Sequence, residues 1–103
     1  MNERNIMIAA GKTVIRYYDI TPSLFMMKKK QGGWVKNKNV ISARAAYAYL
    51  CKLYRLPLYQ ASKYISVNNG NLSRYRKQWE QEVSNGDKQV LKKLMLNEVK
   101  KLQ

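Results

Sequence analysis

Apolar residues recur every three or four positions along most of this chain, which is the period of an amphipathic helix and not the alternation of a strand. Ile6, Met7, Ala10, Val14, Tyr17 and Tyr18 set the first stripe and predict a helix over about residues 4–18. Thr21 followed by Pro22 is an N-cap with proline at the first helical position. A short helical turn should follow, with Leu24, Phe25 and Met26 facing inward. Residues 28–39 (KKKQGGWVKNKN) break the pattern and predict a loop or arm. Ser42 can cap the next helix, whose buried stripe is Ala46, Tyr47, Leu50, Leu53 and Tyr54, to about residue 55. The step Leu56-Pro57-Leu58 opens a short helix to about Ile65, and residues 66–70 form an asparagine-rich turn. A further helix over about residues 71–84 places Leu72, Tyr75, Trp79 and Val83 on one face. Gly86 ends it, and Asp87 is expected to cap a last helix over about 87–102 with the stripe Val90, Leu91, Leu94, Met95 and Val99. No segment alternates as a strand does. The expected fold is all-α, a compact bundle of five to six helices, and 103 residues leave room for a single domain.

Charge sharpens this picture. Between Asp19 and Glu80 lie sixty positions without an acidic residue, and they carry twelve of the twenty lysines and arginines. The whole chain holds six acids and a formal net charge of +14. A solvated surface ordinarily mixes both signs, since like charges repel in the compact state. A one-sign segment implies a polyanionic partner, and nucleic acid is the commonest one. Hydrophobic content of 46% is too high for a disordered basic tail, so a folded domain must carry the charge.

The stretch over about residues 57–84 reads as helix, turn and basic helix, the arrangement of a helix-turn-helix. With Leu72, Trp79 and Val83 turned inward, Ser73, Arg74, Lys77, Gln78 and Gln81 share the opposite face. Arg74 could bridge guanine, Gln78 could bridge adenine, and Lys77 could neutralise phosphate. Asn69 and Asn71 stand at the N-terminal end, where they either reach base edges or cap the helix. Arg76 lies at the margin of the buried face, suited to phosphate contact or to packing of its stem. Lys28, Lys29, Lys30, Lys36 and Lys38 in the basic loop, and Arg44 beyond it, complete the candidate DNA-binding set.

The run VIRYYDITPSLFMMKKK resembles the opening of the DNA-binding domain of the bacterial replication initiator DnaA: a helix, a short turn and a basic loop. NVISARAAYAYLCKLYRLPLYQASKYI is similar to that family's next two helices, and LSRYRKQW to its last basic helix. The resemblance covers about residues 12–83 and implies a Trp-repressor-type helix-turn-helix standing alone. By that resemblance Lys28, Lys29 and Lys30 match a loop that meets the minor groove and phosphates. Arg44 matches an arginine at the start of the long helix, and Arg76-Lys77 a pair late in the recognition helix. The family's box-reading signature is replaced here by Ser66-Val67-Asn68-Asn69-Gly70-Asn71, so the initiator's usual box is not the expected target. The basic loop is longer, with Gly32, Gly33 and Trp34 inserted.

Other classes fare less well. There is no histidine, the single Cys51 sits in an apolar helical pattern, and carboxylates do not cluster, so the usual parts of an enzyme are missing. No cofactor, metal or small-molecule substrate is expected. Gly11-Lys12-Thr13 looks like the end of a phosphate loop, but Ile6 stands where the first glycine belongs. No apolar run approaches the roughly 18 residues that span a bilayer, and one cysteine suits a reducing cytoplasm. Eight tyrosines leave open stacking on RNA or single strands. Tyr47, Tyr54 and Tyr75 fall on core stripes, whereas Tyr49, Tyr59 and Tyr64 are undecided. An acidic protein partner is a third reading. The apolar stripe of the last helix could pair two copies or fold back on the domain.

Overall fold

The computed structural model describes residues 3–26 and 38–102. Among them the helical periodicity becomes six helices and no strand: α1 (Glu3–Tyr18), α2 (Pro22–Phe25), α3 (Lys38–Leu53), α4 (Leu58–Ile65), α5 (Asn69–Ser84) and α6 (Gln89–Leu102). The all-α bundle expected from the sequence is the observed architecture. Lys28, Lys29, Lys30, Trp34 and Lys36 of the expected basic loop lie outside the described residues.

Helix α3 is the axle. Every residue from Ala43 to Cys51 is buried, so this helix is covered on all sides. Its four alanines (Ala43, Ala45, Ala46, Ala48) are what let neighbours approach from several directions. Helices α1 and α5 make its most extensive contacts, α4 and α2 add to them, and α6 lies mainly along α1. Aromatic rings fill the remaining gaps. Phe25 meets the Tyr47 ring edge-on at 5.5 Å, Tyr64 stacks on Tyr47 at 6.4 Å, and Tyr49 tilts against Trp79 at 5.0 Å. Polar tips are satisfied as they enter the core. Tyr47 donates to the Ala61 carbonyl (2.9 Å), and Trp79 Nε1 donates to the Tyr18 hydroxyl (3.2 Å), which ties α5 to α1.

The ends of the helices follow one device. After α1, α3, α4 and α5 the chain passes through Asp19, Arg55, Ser66 and Gly86, all at positive φ. At each, two backbone bonds close the end in the 6→1 and 5→2 pattern. For α4, Val67 N–H donates to the Ser62 carbonyl and Ser66 N–H to the Lys63 carbonyl. At the first three the next residue is apolar and at least half-buried (Ile20, Leu56, Val67), the hydrophobic seal that accompanies this motif. Burial of that residue holds three non-glycine residues in the left-handed region.

Several boundaries differ from expectation. Helix α3 begins at Lys38, so Lys38 belongs to a helix and Ser42 sits inside it rather than capping it. Full burial of Val40 repays continuing the helix through Asn39 and two β-branched residues. Helix α5 begins at Asn69, and neither Asn69 nor Asn71 caps it. Asn68 does: its Oδ1 accepts from the N–H groups of Gly70 (2.8 Å) and Asn71 (3.2 Å). Helix α6 starts at Gln89, two residues past the expected cap Asp87. The Thr21 cap forms as expected, with its hydroxyl accepting from Leu24 N–H at 3.2 Å. Tyr17 and Leu53, placed on buried stripes, are exposed.

Candidate nucleic-acid interface

Helices α4 and α5 are joined by residues 66–68 alone, a length within the three to four residues expected for a helix-turn-helix. The turn is short because the left-handed Ser66 reverses the chain within one residue and Asn68 caps the next helix at once. Val67 between them packs on the core.

Burial of Leu72, Trp79 and Val83 orients α5. That leaves Asn69, Arg74, Lys77 and Gln78 exposed, with Asn71 and Ser73 half-buried at the flanks. No acid occurs in α5 before Glu80. Glu80 accepts a hydrogen bond from Lys52 Nζ at 2.8 Å, and Glu82 lies 3.0 Å from Lys88 Nζ. The carboxylates of α5 are thus neutralised on its C-terminal half, and the first half is left wholly basic. Arg74 Nη2 donates to Asn71 Oδ1 one turn earlier. Lys38 and Gln78 line one open cleft of about 360 Å³ between α3 and α5, floored by Ala45, Tyr75 and Trp79. The structure therefore brings Lys38 beside the exposed face of α5.

Arg44 does not belong to that face. It is 7% exposed, and its guanidinium donates from Nε to the Phe25 carbonyl (3.0 Å) and from Nη2 to the Leu24 carbonyl (3.0 Å). It closes the last carbonyls of the one-turn helix α2, adding to the Met26 N–H at the Leu24 carbonyl. Burial lowers its pKa from the ordinary arginine value. Arg76 also turns inward: half-buried, its Nε lies 3.4 Å from Glu80 Oε1, within ion-pair range but without a hydrogen bond. Its stem packs rather than reaching out, which leaves Asn69, Asn71, Ser73, Arg74, Lys77, Gln78 and Lys38 as the described members of the set.

Two side chains on α4 join the candidates. Tyr59 is 61% exposed, and Lys63 one turn later on the same side is exposed too. Tyr and Lys are both common phosphate contacts, and in helix-turn-helix proteins the first helix crosses the DNA backbone. The signal was present at positions 59 and 63, a tyrosine and a lysine four apart on the polar side of a short helix.

On α6, Met95 and Val99 fold back onto the domain, while Val90 and Leu94 remain 73% and 45% exposed. Among the described residues no helix is long and apolar enough to cross a membrane, and no three His, Cys, Asp or Glu residues cluster as metal ligands would. Burial raises the Cys51 thiol to about 12. No family model, no curated protein and no solved structure matches the chain.

Proposed function

We propose that this protein binds duplex DNA by placing the N-terminal half of α5 in the major groove, as a small regulator of transcription or replication. The observation that carries the reading is the outward face of α5, where Arg74, Lys77 and Gln78 stand exposed over an acid-free half-helix behind a three-residue turn. This is the side-chain chemistry of base and phosphate contact, on the element that such a fold presents to the groove. The Trp-repressor-type likeness to the DNA-binding domain of DnaA agrees with it, with Lys28, Lys29 and Lys30 as the loop that would follow the adjacent backbone. A net charge of +14 supplies the sequence-independent part of the affinity.

Duplex is favoured over single strands by where the tyrosines go. Tyr47 and Tyr49 are buried, and Tyr18, Tyr54, Tyr64 and Tyr75 are half-buried in packing. Only Tyr17 and Tyr59 are exposed, which is no stacking platform for successive bases. Competition of a bound labelled duplex with unlabelled duplex, single-stranded DNA and RNA tests the reading. Duplex should displace at the lowest concentration, and displacement first by either single strand would transfer the function to that partner.

A further inference from the structure

We propose that Asn71 is a positioning residue for Arg74, and that the preferred duplex carries a guanine at the base pair facing the first turns of α5. The inference rests on the DNA-binding reading above and deepens it, by giving Asn71 a part in the guanine contact expected of Arg74. Arg74 Nη2 donates to Asn71 Oδ1 at the exposed surface, which biases the guanidinium toward the preceding helical turn. The backbone of Asn71 is tied into the helix start, where its N–H donates to the Asn68 cap at 3.2 Å. A long side chain on a helix leans toward the N-terminus, and the bond to Asn71 carries the guanidinium in that direction. That is the end of a recognition helix that meets base edges. Gly70, one turn before Arg74 on the same side, places no side chain in front of the guanidinium.

The chemistry then divides the two residues. A guanidinium has five N–H donors, and with one directed at Asn71 four remain for the N7 and O6 acceptors of guanine. To read adenine, Asn71 Oδ1 would have to accept from the adenine amino group on its second lone pair while it still accepts from Arg74. The expectation that Asn71 itself reaches a base edge is replaced by a role through its neighbour. Immobilising a flexible arginine before binding reduces the ordering cost on binding, and it does so only for the base that accepts from it in that position.

The test uses the full chain and a duplex selected by it from a random pool, with each guanine replaced in turn by 7-deazaguanine, which lacks N7. In the parent one such replacement should weaken binding about fivefold or more, and Arg74→Ala should erase that dependence. Asn71→Ala should reduce it roughly 2- to 10-fold, the scale of one immobilised side chain. Asn71→Asp, which keeps the acceptor oxygen, should preserve the guanine dependence while its charge weakens all duplexes alike. The double variant should discriminate no worse than Arg74→Ala. Independent, multiplying losses would overturn the proposal, as would a relaxed preference at an adenine in Asn71→Ala or equal loss of guanine dependence in Asn71→Asp. A parent that binds duplex without guanine dependence overturns this inference alone, whereas a parent that binds no duplex overturns the reading beneath it.

Discussion

Replacing Arg44 by methionine separates a structural arginine from a DNA-binding one. Methionine restores most of the apolar stem but removes both donors, so the carbonyls of Leu24 and Phe25 lose their side-chain partner at the end of α2. The Leu24 carbonyl keeps the Met26 N–H, whereas the Phe25 carbonyl is left unpaired, and a buried acceptor left unpaired costs about 1–3 kcal/mol. The weakened Leu24 carbonyl adds to this and the guanidinium that no longer has to be desolvated offsets part of it, which leaves a net loss of roughly 1–3 kcal/mol. For a domain of this size that lowers the melting temperature by roughly 5–20 °C. Urea denaturation followed by helical circular dichroism measures the loss, and a salt titration of DNA binding, run where the variant is still folded, measures the contact. The folded variant should keep the parent's salt dependence. If Arg44 neutralised a phosphate, its removal would flatten the log–log slope by about 0.9. A variant as stable as the parent with a slope flattened by that amount would refute the structural assignment of Arg44.

Trp79→Ala should destabilise by about 3–5 kcal/mol, because a side chain only 2% exposed leaves a cavity between α3 and α5 and the bond to Tyr18 is lost. Chemical denaturation checks it, and normal stability with lost DNA binding would mean Trp79 contacts DNA. Ser66→Gly should stabilise by up to about 1 kcal/mol, since φ of 59° carries a penalty that glycine lacks, offset by glycine's freer unfolded chain. An unchanged or lower denaturation midpoint contradicts it. Stability should fall between about pH 9 and 12 by up to about 1.4 kcal/mol per unit from Cys51 alone, and substituting Cys51 by alanine should flatten that arm. The sign follows from burial: the thiol titrates at about 12 when folded against 9.0 for the free group, so unfolded chains lose the proton first. Tyr47, also raised by burial, adds to the same arm.

Most helices were legible because their apolar spacing is regular, as with Ile6, Ala10 and Val14 in α1 or Leu72, Trp79 and Val83 in α5. What escaped was set by tertiary context. Arg44 reads as a surface cation by residue type, and only its place among Ala43, Ala45 and Ala46 in a helix buried all round hints otherwise. The left-handed ends at Asp19, Arg55 and Ser66 lack glycine, so the usual stop signal was missing. The apolar residues after them carried the information instead. Asn69 and Asn71 were the cap candidates by sequence, whereas Asn68, beside Val67 packed on the core, is the residue that caps α5. The exposed half of the site, Arg74, Lys77 and Gln78, was legible since it is simply the complement of the buried stripe.

The central claim is that the basic face binds duplex DNA, and its most direct test is a salt titration of the duplex selected from a random pool. With about 5 phosphates neutralised, log affinity against log salt should fall with a slope near −4 to −5. A slope close to zero, or no duplex binding at low salt, would contradict the account.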